Sequence, residues 1–217
     1  MNSRGRFIVL EGGEGSGKTT QAALLADAIG ALLSREPGGT PLGEQLRAIL
    51  LNPDSGTINI RAELLMMLAA RAQHVGQVLR PALESGRTVV CDRYYGSTLA
   101  YQGYGHQQDV AALASISRWA ADELMPDLVL YLDVPSGEAQ RRTTSRTLDR
   151  IESYRGGFHD RVARGFNFLC STEPNWIRVD AVGSISQVTA RLLATCIHHG
   201  VISPSDVAQP YRGVNSA

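Results

Sequence analysis

Apolar residues along the chain fall into five short blocks separated by longer amphipathic stretches. Phe7-Ile8-Val9-Leu10-Glu11, after Arg6, is a nearly unbroken apolar run stopped by Gly12-Gly13, the pattern of a buried strand. Residues 31–35, 88–92, 128–133 and 176–180 repeat the pattern. A helix is predicted from about Lys18, with Leu24, Leu25, Ala28 and Ile29 on one face. A second begins at Pro41, which suits a first helical turn, and runs to about Leu51. A polar, turn-rich loop follows over 52–59. A long helix is predicted over 62–84, bent or ended by Gly76 and Pro81. Asp109 is a candidate N-cap for a helix over 109–123. Further helices are predicted over 136–145, 158–171 and 184–198, and the Pro-, Ser- and Gly-bearing tail 201–217 is expected to be mobile.

Strands alternating with helices predict a three-layer α/β/α fold with a five-stranded parallel sheet. Strands apolar along their whole length fit a sheet covered on both faces. The 217 residues suit one domain, over 1–200, and such a chain builds a core without disulfide or metal staples. No apolar run is long enough to cross a bilayer, and the first six residues carry no signal-peptide core. Cys91, Cys170 and Cys196 show no paired spacing, which fits a reducing, cytoplasmic setting. With 21 basic and 21 acidic residues the net charge is zero, which argues against bulk binding to nucleic acid or anionic membrane. Lys18 is the only lysine among the 21 basic residues.

That lysine lies in Gly12-Gly13-Glu14-Gly15-Ser16-Gly17-Lys18-Thr19, which fits G-x-x-x-x-G-K-[ST] between a strand and a helix. Glycines let backbone N–H groups close around phosphate, and the helix N-terminus adds positive dipole. Lys18 supplies a point charge on the β/γ-phosphates, and the Thr19 hydroxyl can ligate Mg²⁺. A nucleotide polyphosphate with Mg²⁺ is therefore expected, though the same motif serves GTPases, ATPases and small-molecule kinases and does not fix the reaction. An Asn-Lys-x-Asp guanine motif is excluded, because no second lysine exists. Asp92-Arg93-Tyr94 closes the third strand, at the sheet edge where open α/β folds bind ligands. Asp92 is placed to hold Mg²⁺ and Arg93 to grip a phosphate. Arg35-Glu36-Pro37-Gly38-Gly39-Thr40 ends the second strand at the same edge. Ser97, Thr98, Tyr101 and Gln102 offer hydroxyls, a ring and an amide that could enclose a nucleobase, within what otherwise reads as a polar loop. Arg141, Arg142, Arg146 and Arg150 form a candidate lid over about 136–157. Arg146 and Arg150, toward the turn, are the favoured catalytic arginines.

In order along residues 6–152, these motifs resemble the bacterial thymidylate kinase family of P-loop nucleoside monophosphate kinases. The matching stretches include the phosphate loop through Thr20, Arg35–Thr40, Ala69-Ala70-Arg71, Asp92-Arg93-Tyr94, Ala100-Tyr101-Gln102-Gly103 and Leu148-Asp149-Arg150-Ile151-Glu152. The resemblance implies transfer of the ATP γ-phosphoryl group to dTMP with Mg²⁺, by a homodimer. It makes Glu14 the loop acid near the nucleotide sugar and Arg47 with Arg93 the clamp on the acceptor phosphate. Arg71 becomes the base reader, with Glu36, Ser97, Thr98, Tyr101 and Gln102 around the acceptor. Glu14-Gly15 stands where the eukaryotic type carries an arginine, which points to a lid-borne catalytic arginine. Met67 stands where many members stack a phenylalanine on thymine. Two alternatives remain: a kinase for another acceptor such as dUMP or dCMP, and a non-catalytic nucleotide-binding regulator.

Overall fold

The structure, a computed structural model, describes residues 4–144, 148–208 and 211. Five parallel strands form one sheet: β1 (Phe7–Glu11), β2 (Leu32–Arg35), β3 (Val89–Asp92), β4 (Leu128–Asp133) and β5 (Trp176–Asp180). They lie in the order β2-β3-β1-β4-β5, with Leu10 paired to Asp92, Asp92 to Arg35, and Glu11 to Tyr131. The central strand is buried throughout, and its side chains alternate between two cores. Phe7 and Val9 join Val89, Cys91, Val129 and Tyr131 on one face, with Leu79, Tyr94 and Phe166 packed over them. Ile8 and Leu10 join Val90, Leu128, Leu130 and Leu132 on the other, against Leu25 and Leu192. Water is thus excluded from both faces, which is why the strands lack polar alternation.

The helices are α1 (Lys18–Ala28), α2 (Pro41–Leu51), α3 (Ile60–His74), α4 (Arg80–Glu84), α5 (Tyr95–Thr98), α6 (Val110–Ala120), α7 (Ser136–Thr143), α8 (Phe158–Thr172) and α9 (Ile185–His198). Thr40, Asn59, Asp109 and Ser184 cap α2, α3, α6 and α9 through their side chains.

Several expectations change. The helix expected to bend or end at Gly76 and Pro81 stays helical, passing from α3 to α4 through a π turn over Val75–Leu79. Pro81 has no N–H for the carbonyl four residues back, and the wider turn absorbs that lost bond. The presumed polar loop at 97–103 is α5 followed by a π segment over Leu99–Gly105. It shows no amphipathic period because Leu99–Gly103 and Gly105 are all buried. The helix predicted to 123 ends at Ala120, where Asp122 and Glu123 take left-handed φ values of 46° and 55°. Residues 201–208 are not a loose tail. Ile202 and Val207 pack into the α1–α9 core, and Ala208 N–H donates to the Ala28 carbonyl at 2.7 Å. The remainder of the predicted tail lies outside the described residues, apart from Tyr211, whose hydroxyl donates to Asp27 at 3.0 Å.

Candidate active site

At the carboxyl edge of the sheet lies a cavity of about 450 Å³. Its floor begins with the phosphate loop. Glu14, Gly15, Gly17, Lys18, Thr19 and Thr20 line it, whereas Gly12, Gly13 and Ser16 shape the turn behind it. Gly15 has φ 71°, and a Cβ there would fall 2.4 Å from the Ala139 carbonyl oxygen, so only glycine lets the loop touch α7. Lys18 Nζ donates to the Gly13 carbonyl at 2.6 Å and to the Ser16 hydroxyl at 3.1 Å. Burial, seconded by nearby Arg93, lowers this ammonium to about 8 against the pull of Glu14, Asp92 and Glu11. An incoming polyphosphate would favour its charged form further. The Thr19 hydroxyl donates to Asp92 Oδ2 at 2.6 Å. Asp92 Oδ1 is buried and has no hydrogen-bond partner among the described residues. A hydroxyl beside an unsatisfied carboxylate oxygen is a donor set suited to a hard, oxygen-seeking cation such as Mg²⁺.

Glu11, wholly buried at the end of β1, is a residue that motif reading passed over. Its carboxylate accepts from the Tyr94 and Ser97 N–H groups at 3.0 and 2.9 Å and from the Ser97 hydroxyl at 2.6 Å. Burial pushes its carboxyl up, while Ser97 and Arg93 pull it down. These bonds seat the start of α5 and hold Arg93, at φ 71°, in a left-handed conformation that costs a non-glycine residue energy. Arg93 Nη1 donates to the Gly12 carbonyl and to Ser97, and Nη2 donates to Glu14. Its guanidinium lies 5.0 Å from the Tyr101 ring centroid. Tyr101 OH also donates to Glu14 at 2.6 Å. Glu14 is therefore held well below the usual carboxylate range, chiefly by Arg93 and Lys18, against the effect of burial.

The acceptor side is built on α3. Arg71 is buried, donating from Nε to Glu36 at 2.8 Å and from Nη2 to Thr98 at 3.0 Å. Its guanidinium carbon lies 5.1 Å from the Tyr94 ring centroid. His74 Nδ1 lies 3.1 Å from the other Glu36 oxygen, and its Nε2 lies 2.6 Å from Ser34 Oγ. Arg71 and His74 keep Glu36 ionised despite burial. Arg71 Nη1 and Gln102 Oε1 are buried with no partner among the described residues, and both side chains line the cavity. Met67 and Ser97 line it as well. Arg47 also reaches it, donating to the Pro37 carbonyl at 2.9 Å.

The lid arginines require a correction. Arg150 does not reach into the cavity. It is buried, donating from Nε to the Leu50 carbonyl at 2.8 Å, from Nη1 to Tyr154 at 2.6 Å and from Nη2 to Glu63. A guanidinium with all three nitrogens committed to a buried anchor holds the base of the lid in place. Arg146 lies outside the described residues. Among the described lid arginines, Arg142 is the one that lines the cavity, its Nη2 donating to the Ala181 carbonyl at 3.1 Å and its Nη1 reaching the Gly15 carbonyl at 3.4 Å. Sequence reasoning ranked it below Arg146 and Arg150, although α7 aims it at the phosphate loop. Glu152 was also passed over as a site residue. It lines the cavity and shares a hydrogen bond with Glu14; burial and that second carboxylate raise it to about 7.

Known proteins resemble this chain in sequence and fold. The thymidylate kinase family model matches residues 10–192. A thymidylate kinase of Syntrophotalea carbinolica is 44% identical over 202 residues, covering 87% of this chain and 94% of that protein. One from a Synechococcus strain is 47% identical over 192 residues, covering 86% and 91%. The crystal structure of thymidylate kinase from Ehrlichia chaffeensis superposes with a TM-score of 0.74 at 29% identity, covering 88% of this chain and 98% of that one. On motif order, sheet topology and sequence identity, the chain belongs to the thymidylate kinase family.

Proposed function

We propose that this protein transfers the γ-phosphoryl group of ATP to dTMP, giving ADP and dTDP. The observation that carries the acceptor assignment is the pair of unsatisfied atoms in the cavity wall. Arg71 Nη1 is a donor and Gln102 Oε1 an acceptor. A thymine edge offers the complement, an O4 acceptor beside an N3–H donor. Cytosine inverts both positions, so each contact would become a repulsion and two buried groups would stay unpaired.

The acceptor phosphate is an anionic oxygen nucleophile and needs no protein base. Catalysis then reduces to alignment and charge stabilisation. Lys18 and the loop amides would take the ATP phosphates. Arg93 and Arg47 would orient the acceptor phosphate, with Arg142 bridging from the lid to the loop. Mg²⁺, held by Thr19 and Asp92, would neutralise charge developing on the phosphate oxygens. Glu14 would stand beside the acceptor sugar. Met67 would lie against the base, its polarizable thioether replacing an aromatic face.

A homodimer in the cytoplasm completes the reading. Leu65 on α3 and Ile116 and Trp119 on α6 are exposed at 63%, 38% and 80%, and these two helices pack together. No helix among the described residues is long and apolar enough to cross a membrane. Sedimentation of wild type and of Leu65→Arg/Trp119→Arg tests the dimer; a monomeric wild type at micromolar concentration would refute it. The decisive assay is ADP release with ATP and Mg²⁺, comparing dTMP, dUMP, dCMP, AMP and no acceptor. Selective turnover with dTMP is expected. Preference for dCMP, or release independent of acceptor, would overturn the proposal.

A further inference from the structure

We propose that Glu63 is a positioning residue for acceptor specificity: by accepting the Gln102 amide hydrogen it commits the amide oxygen to the base pocket. The inference rests on the acceptor reading above. Glu63, Met67 and Arg71 lie four residues apart on α3 and so share one face. Glu63 is wholly buried. Its Oε1 accepts from Gln102 Nε2 at 2.9 Å. Its Oε2 accepts from Arg150 Nη2 and from the Tyr154 hydroxyl at 2.9 Å. His106 Nε2 lies 3.4 Å from Oε1.

An ionised carboxylate only accepts hydrogen bonds. Burial would raise the Glu63 carboxyl, but His106, Arg150 and Gln102 outweigh it and hold the group at about 2. The amide nitrogen of Gln102 must therefore face Glu63. A flipped amide would set two oxygens against each other in a dry interior. A trigonal amide anchored through nitrogen turns its oxygen away, and Gln102 Oε1 is the atom left unsatisfied in this cavity-lining side chain. Arg150 and Tyr154 fill the second carboxylate oxygen and keep the carboxylate from rotating. Base discrimination thus depends on a residue that does not line the cavity.

The test uses Glu63→Gln, which is nearly isosteric but can both donate and accept, freeing Gln102 to flip. Kinetics are measured with dTMP and dCMP in wild type, Glu63→Gln, Gln102→Met and the double variant, with thermal unfolding to establish folding. Glu63→Gln is expected to raise the dTMP KM and to narrow the dTMP/dCMP ratio of kcat/KM by about tenfold or more. The ATP KM should stay within about twofold, and in the Gln102→Met background the same substitution should leave the ratio unchanged. A Glu63→Gln variant that is folded but has an unaltered ratio overturns the proposal. So does an equal effect in the Gln102→Met background. Should Glu63→Gln fail to fold, Glu63→Met/Arg150→Met removes the carboxylate without leaving a lone buried charge, with the same outcomes expected and excluded. A wild type that does not prefer dTMP overturns the acceptor reading and this proposal with it. A selective wild type with unaltered variants overturns this proposal alone.

Discussion

Replacing Arg71 with Met separates what this arginine does for the fold from what it does for the acceptor. Its partner Glu36 is buried, with side chains 3% and 5% exposed, so solvent screens the pair little. Removing one member of such a pair costs about 3–5 kcal/mol, because the other is left charged without its partner. One contribution runs the other way. Arg71 Nη1 is already unsatisfied, and deleting it relieves a penalty of about 1 kcal/mol. The expected net loss is about 2–4 kcal/mol. A loss of about 3 kcal/mol corresponds to a fall in Tm of roughly 6–12 °C for a domain of this size. Glu36 is ionised below the usual carboxylate range in the folded protein. Its stabilisation is therefore complete above the unfolded pKa and disappears as pH falls through the folded one. Thermal unfolding across acid pH should show the gap between wild type and Arg71→Met closing as pH drops. With dTMP, loss of one charged hydrogen bond to the base should lower kcat/KM by roughly 10- to 150-fold. Arg71→Lys should recover much of the stability and little of that activity, since its ammonium lacks the planar fork. A destabilisation below about 1 kcal/mol, or a gap independent of acid pH, would refute this account of the pair.

Other variants test the rest of the site. Arg142→Ala should lower kcat by about 100-fold or more at unchanged stability. Arg150→Met should instead lower Tm while kcat, read well below that Tm, is largely kept; the opposite pattern would restore Arg150 to the reaction. Glu152 has its folded pKa raised to about 7, so its contribution to stability is full below the unfolded value near 4.5 and is lost as pH rises toward 7. Glu152→Gln, which keeps a donor toward Glu14 at every pH, should flatten that decline in thermal melts; an unchanged slope would exclude the shared proton. At Gly96 an added Cβ would lie 2.5 Å from the Trp176 ring and 2.9 Å from Glu11 Oε1. Gly96→Ala should therefore destabilise by roughly 1–3 kcal/mol in chemical denaturation and weaken the hold on Arg93.

Local chemistry explains what could be read in advance. The strands at 128–133 and 176–180 appear where their apolar runs predict them, and α2 spans Pro41–Leu51 as expected. Their signals, an apolar block or a proline at a first turn, lie within a few residues. The phosphate loop is legible for the same reason, since spacing alone brings its amides and Lys18 together. The segment 97–105 was not, because a helix buried on every side carries no amphipathic period. Arg142 and Arg150 look alike as letters in one arginine run. What separates them is Glu63, 87 residues from Arg150, and the carbonyl of Gly15 in the phosphate loop.

The sequence by itself therefore determined the alternation of strands and helices, the phosphate loop and the family, each encoded in contiguous residues or short motifs. Only the tertiary structure decided that Arg142 reaches the loop while Arg150 does not, why Glu11 seats Arg93, and how Glu36 and Glu63 orient the atoms at the base pocket. Those outcomes depend on which donors and acceptors are already satisfied, and a buried hydrogen-bond balance is settled only when distant parts of the chain meet without water.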